Sequence, residues 1–395
     1  MEKIPIKQHY VPVCYLKNFT INNTNLRNKN ILTNFFQIKD CLLKTNISIK
    51  SICTKTYFYG EDGLIEKRFA VSEKKWSNLL KKIINSNKFS LTNEDISLLK
   101  KFIIWQYART YSYYDHTNES LSELLNTINL NHKNINLPMS KIIENFSSNI
   151  KLINDLKIAI IKFQTKNILI TSDNPVLNLN FFTPKNCGFA NIGCLLMLPI
   201  SPNILAILYD SKFYKVDNNF IISTNANDVV SLNNYQFFNS KERIISNDEN
   251  ILISYSQNQA FIDEKIRIQN REKTTTLKTN PGSIIAFHNP FIPCLYQLDF
   301  IKLPKSTTNI ALDIRNSLVM PRTYDEKYYK KICAALYIIS NRKNDSLNIY
   351  AGKDKKHQLS IYKKFIEDYW NLKLKDRIYD GKILKNIRIK RFPAK

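Results

Sequence analysis

Glycine is scarce in this chain, with 7 among 395 residues. Loops that cradle phosphates need glycine wherever backbone N–H groups must approach an anion closely. There is no GxxxxGK[ST] run, no GxGxxG after a strand and no GxSxG elbow. ATP- or NAD-driven chemistry and serine-hydrolase chemistry of the usual kinds are therefore not expected. Cysteine is equally sparse: the 7 residues are odd in number and never form a CxxC pair. Cys187 and Cys194 stand close, but no matching Cys/His pair completes four zinc ligands, so the cysteines read as small buried hydrophobes. Long apolar runs are missing too. CLLMLPISPNILAILYD is cut by Pro199, Ser201, Pro202 and Asn203, well short of the about 18 unbroken residues that a membrane span requires. The opening MEKIPIKQHY has no apolar signal core. A cytoplasmic protein with no membrane partner is expected.

Acidic residues are outnumbered, 33 against 58 basic ones, for a net charge of +25. That excess attracts polyanions over long range and makes RNA or DNA the expected partner class. The surplus of Lys, Asn, Ile, Tyr and Phe is also what an AT-rich coding sequence imposes, so charge alone weighs modestly. Between residues 351 and 395 there are 14 Lys+Arg against 5 Asp+Glu. The end, KNIRIKRFPAK, alternates apolar and basic residues like an extended arm with one cationic side.

With 44% hydrophobic and 12% aromatic residues the chain is globular. ILTNFFQI, CLLKTNISI and KTYFYG are spaced like short strands. From Gly63 the period changes: Ile65, Phe69, Trp76, Leu79, Leu80 and Ile83 follow helical spacing. A second helix opens with Thr92 and Asp95 in a capping-box pattern and is expected to run through ISLLKKFIIWQYARTY. Residues 118–157 read as further helix with a Pro138-containing interruption. KNILITSDNPVLNLNFF reads as strand, tight turn, strand, and LLMLPISPNILAILYD repeats the scheme. A helix capped by Asn225 and the short strand ERIISN follow. Later come PGSIIAFHNPFIPC, two helical segments (325–340 and 358–374) and the basic tail. The expected fold is α+β: a helical layer from the first half packed on a mostly antiparallel sheet, with a basic mixed α/β carboxy-terminal extension. The expected division is 1–260 and 261–395.

Polar residues on apolar faces mark candidate sites, because an unpaired buried polar group costs roughly 1–3 kcal/mol. Gln106 and Arg109 fall within the face made by Leu98, Leu99, Phe102, Ile103 and Trp105. Glu66 and Glu73 are two turns apart on one face of the preceding helix, placed to satisfy an arginine. An ion-pair network between the helices and a functional site fit that pattern equally well. Asp173 and Asn174 sit at a strand end before Pro175, the place of either a binding group or an Asx-turn.

Taken together, HYVP with YLKNF, the IE…E helix, QxxR, TSDNP and LPISP resemble the bacterial family known as domain of unknown function 4238, over roughly Ile6 to Asn247. Its opening motif, QHYVP, matches Gln8 to Pro12, and its strand motif, TSDNP, matches Thr171 to Pro175. The resemblance implies a shared polar constellation and no particular reaction.

If His9, Glu66, Glu73, Gln106, Arg109, Asp173 and Asn174 converge, they suit acid–base catalysis or a divalent metal held by carboxylates and His9, with Arg109 on a phosphate. His9, Arg109 and Asp173 are expected within one hydrogen-bond relay. The leading expectation is a hydrolytic enzyme acting on nucleic acid, with a bacterial defence or toxin system as its associated setting. The alternative is a non-catalytic binding module with a structural polar network. Neither the cofactor nor the oligomeric state follows from the sequence.

Overall fold

The computed structural model describes residues 5–21, 31–127, 136–181, 188–191, 193–270, 274–279, 282–287 and 298–302. Cys187, the region around PGSIIAFHNPFIPC, the two late helical segments and the basic tail lie outside them, wholly or in large part.

The opening motif forms β1 (Lys7–His9) and a single helical turn, α1 (Val13–Leu16). The first two apolar runs become β2 (Leu32–Gln37) and β3 (Leu42–Ser48), whereas KTYFYG gives only Lys55 and Thr56 to β4 (Thr54–Thr56) and turns at Tyr57, Phe58 and Tyr59. Four helices follow: α2 (Leu64–Ile84), α3 (Asn93–Ala108), α4 (Tyr111–Thr127) and α5 (Met139–Phe146). Strands β5 (Lys157–Phe163), β6 (Thr171–Ser172), β7 (Leu177–Leu179), β8 (Leu195–Ser201), β9 (Ile204–Tyr209) and β10 (Phe220–Ser223) come next. Then come α6 (Ala226–Asn239), β11 (Arg243–Ser246), α7 (Glu249–Ser256) and α8 (Gln259–Gln269). A two-stranded sheet of β12 (Thr274–Thr279) and β13 (Gly282–Phe287) follows, and its residues 276–279 and 282–285 fall in a second compact unit. The fold is α+β.

In the first unit, a five-stranded sheet runs β10-β5-β9-β8-β7 and a four-stranded one runs β3-β2-β11-β6. Their pairings are antiparallel except β10 with β5. The strands β8 and β9 are buried throughout, which is why they read as unbroken apolar runs and not as alternation. Helix α2 lays Phe69, Trp76 and Leu80 into a core shared with Phe102 and Ile103 of α3 and with Leu196 and Leu198 of β8. The Thr92–Asp95 capping box is formed in both directions.

Two expectations are corrected. The second helix does not run through ARTY: it ends at Ala108, and α4 starts at Tyr111. Thr110 Oγ1 accepts from Tyr113 N at 3.2 Å, so the threonine caps a new helix. Ile168 to Ile170 are buried or half-buried but do not join a sheet; the strand is Thr171–Ser172 alone. Asn233 of α6 takes the place of a neighbouring strand, its Nδ2 donating to Ile168 O at 2.8 Å and its Oδ1 accepting from Ile170 N at 2.9 Å.

Candidate functional site

Arg109 ends α3 and is 1% exposed. Its guanidinium donates from Nη1 to Glu73 Oε1 at 2.7 Å, from Nη2 to the His9 carbonyl at 2.8 Å and from Nε to the Tyr59 hydroxyl at 3.0 Å. Phe69 lies under the guanidinium, 4.2 Å from ring centroid to Cζ. Burial works against its charge, but Tyr59 and Glu73 outweigh that and raise its proton affinity. Every edge of the fork faces protein, so the phosphate-binding role expected for Arg109 has no donor directed at solvent. Gln106 is buried and donates to the Tyr10 carbonyl at 3.3 Å.

His9 contributes its carbonyl to this node, while its imidazole lies half-buried. Burial lowers its proton affinity, opposed by the Ile49 backbone and by Glu73. Glu66 lies close enough to feel Arg109, and burial raises its carboxyl. Neither His9 Nε2 nor Glu66 Oε2 has a hydrogen-bond partner among the described residues. Burial, with Glu73 adding to it, pushes the Cys14 thiol up to about 12, so it is no nucleophile near neutral pH.

Asp173 belongs to a second cluster. Its carboxylate accepts from Lys241 N at 2.9 Å and Glu242 N at 2.8 Å, so it braces another loop and does not form an Asx-turn on its own backbone. Burial raises its carboxyl, with Arg243 opposing. Lys265, also buried, is pushed down to about 7 by desolvation and donates to the Phe238 carbonyl at 2.6 Å and to the Ser240 carbonyl. Among the described residues no hydrogen bond or ion pair joins Asp173 to His9 or Arg109, so the single relay becomes two clusters. Tyr10 stands between them, its carbonyl on Gln106 and its phenol in the field of Asp173. No three His, Cys, Asp or Glu side chains among the described residues are grouped to hold a metal ion.

Sequence reasoning missed the joints that explain the motifs. Tyr15 OH bonds Thr171 Oγ1 at 2.7 Å and the Pro199 carbonyl at 2.8 Å, while Asn18 Nδ2 donates to the Ile200 carbonyl at 3.0 Å. One tyrosine thus ties YLKNF to TSDNP and LPISP. On α6, Asn233, Gln236 and Asn239 recur every third residue. Their amides serve Ile168 and Ile170, then Ser172 and Asn174, then Asn174 and Val176 in turn. The signal that could have found them is the three-residue amide spacing in NNYQFFN.

The outer face of α2 was also missed. The doublets Lys67–Arg68, Lys74–Lys75 and Lys81–Lys82 repeat every seven residues, and all six side chains are exposed. At about 100° per residue they form two rows, Lys67, Lys74, Lys81 and Arg68, Lys75, Lys82, flanking a strip of Leu64, Val71 and Asn78. Leu64 is 58% and Val71 67% exposed. Lys82 pairs with Asp95 at 2.6 Å; the other five have no ion pair among the described residues. From Lys67 to Lys82 the rows extend about 22 Å at 1.5 Å per residue. Glu66 and Glu73 lie on a different side of the same helix, toward Arg109.

No helix among the described residues is long and apolar enough to cross a membrane. No curated protein and no solved structure matches the chain. The family model described as "Protein of unknown function (DUF4238)" matches residues 7–250, and the chain belongs to that family.

Proposed function

We propose that the protein is a non-catalytic nucleic-acid-binding module that holds a phosphate backbone on the outer face of α2. The observation that carries this reading is the double row of exposed, largely unpaired basic residues on a rigid helix, in a chain of net charge +25. Duplex nucleic acid presents one charge per about 1.7 Å of axis, so a row of about 22 Å meets several phosphates at once. Leu64 and Val71 between the rows suit packing against sugars or bases. An interfacial membrane helix needs a broad apolar face for lipid, whereas α2 commits its own to the core.

The test is fluorescence anisotropy with a labelled single-stranded RNA of mixed sequence, titrated across a salt series. The quadruple substitution of Arg68, Lys74, Lys75 and Lys81 by Gln should flatten the log–log salt slope by up to about 0.7 unit for each phosphate that the variant no longer neutralises. An unchanged slope, or no binding by the full chain at low salt, overturns the proposal. Binding to anionic vesicles but not to RNA would do the same and replace the partner.

A hydrolytic reading is second, favoured by His9 Nε2 and Glu66 Oε2, both buried without partners among the described residues. Burial lowers the proton affinity of one and raises that of the other, bringing a base and an acid toward a common range. It requires cleavage of the same RNA, or of a DNA strand, that disappears in His9→Asn and Glu66→Gln. Tight binding with no cleavage removes it.

A further inference from the structure

The two basic rows of α2 run side by side at a fixed angle. Lys67 and Arg68, Lys74 and Lys75, and Lys81 and Lys82 are neighbours in sequence, so the rows stand about 100° apart around the helix axis. On a helix about 10–12 Å across with its side chains, that arc sets them roughly 8 Å apart at the surface, and long side chains fan out beyond it. Two lines of positive charge thus flank a ridge about as wide as the helix itself.

The ridge points away from the core. Val71 follows Phe69 by two residues and Asn78 follows Trp76 by two, about 200° around the axis, so each lies opposite a ring that enters the core. No carboxylate interrupts it: the acidic residues of α2 are Glu66 and Glu73, on the side toward Arg109. No ring stands on it either. Phe69 and Trp76, the aromatic residues of α2, are both buried.

The forms of nucleic acid meet such a ridge differently. Single strands are held by aromatic side chains on which their bases stack, and the exposed face of α2 has none. A duplex of RNA has a major groove too deep and narrow for side chains to read. B-form DNA has a major groove about 12 Å wide, which admits an α-helix, and a minor groove of about 6 Å, which does not. A ridge one helix wide with a cationic row on each flank fits the wider groove.

We infer that the outer face of α2 lies in the major groove of B-form duplex DNA, with one basic row on the phosphates of each strand and Val71 and Asn78 on the base edges between them. This rests on the nucleic-acid reading above. Lys82 is engaged by Asp95, so the phosphate contacts fall to the other five basic residues. Val71 is apolar and meets thymine methyl groups, while the Asn78 amide matches the N6 and N7 edge of adenine. From Val71 to Asn78 the helix rises about 10.5 Å, which is about three base pairs at ~3.4 Å each.

Three labelled duplexes of one mixed sequence test this by fluorescence anisotropy with the full-length protein at a single salt concentration. They are DNA, RNA, and DNA whose cytosines carry a glucosylated hydroxymethyl group, which fills the major groove and leaves the phosphates unchanged. Plain DNA should bind more tightly than the RNA duplex by about tenfold or more, and glucosylation should remove that margin. The double substitution Val71→Ala and Asn78→Ala, at two exposed positions, should narrow the margin by about threefold or more. Its salt slope on DNA should stay as it was, because no cation is lost. Equal affinity for the DNA and RNA duplexes, a margin that survives glucosylation, or one that survives the double substitution overturns the inference. Equal binding to all three, with a salt slope that flattens in the quadruple Gln variant, sinks the groove alone and keeps the basic rows. Binding to none of them sinks both.

Discussion

Arg109 Nη2 donates to the carbonyl oxygen of His9 at 2.8 Å, across 100 residues of chain. The bond explains why the opening motif and the QxxR helix belong together. A guanidinium buried to this degree needs acceptors on every edge, and a backbone carbonyl supplies one wherever the imidazole points. Glu73→Gln should lower stability by on the order of 2 kcal/mol, less than the ~3–5 kcal/mol of a fully buried pair, since the Glu73 side chain stays 26% exposed. Arg109→Lys should cost more, because an ammonium cannot serve the three acceptors in the geometry of the fork. Urea melts check both. A Glu73→Gln protein as stable as the wild type would mean that the ion pair contributes nothing.

The amide ladder of α6 makes its own prediction. In Asn233→Leu, Ile168 O and Ile170 N lose their partner, at roughly 1–3 kcal/mol for each group left unpaired. Thermal unfolding should move down accordingly. RNA affinity measured well below that transition should not change, because the Asn233 amide bonds Ile168 and Ile170 and not the basic rows of α2.

Acid stability should depend on His9. Burial depresses its folded pKa below the about 6.5 of an unfolded histidine. The unfolded chain therefore takes up the proton first, and stability is lost as pH falls below about 6.5. His9→Asn should flatten this limb of the stability profile. An unchanged acid limb would show that the imidazole charges as readily folded as unfolded.

Lys265 should act on the alkaline side. Its ammonium is pushed down to about 7 by burial, whereas an unfolded lysine keeps its proton to about 10.4. Across that window the unfolded state binds more protons, so this group makes stability rise with pH. Lys265→Met should remove the rise. Denaturant melts at neutral and alkaline pH give the slope, and a rise that survives the substitution would have to come from another group.

The sequence made the helices legible where one face is broadly apolar, as in α2, and where a cap is explicit, as at Thr92 and Asn225. It misled at Ile168 to Ile170, because a buried extended segment bonded by side-chain amides has the same apolar signature as a strand. Gln106 and Arg109 stood out as polar residues on an apolar face, and Glu66 and Glu73 together as carboxylates placed for the arginine, of which Glu73 bonds it. The division of the constellation into two clusters was not legible, since it depends on which backbone groups Asp173 meets at Lys241 and Glu242. The basic doublets of α2 were in plain view, but lysine abundance from base composition hid their seven-residue period.

The central claim is that nucleic acid rests on the outer face of α2 while the family motifs hold the fold together. Photo-cross-linking of the full-length protein to thiouridine-substituted RNA, followed by peptide mass spectrometry, tests it most directly. Adducts should concentrate in the peptides covering residues 64–82 and fall away in the quadruple Gln variant. Adducts confined to other segments, or centred on His9 with none on α2, would contradict the account.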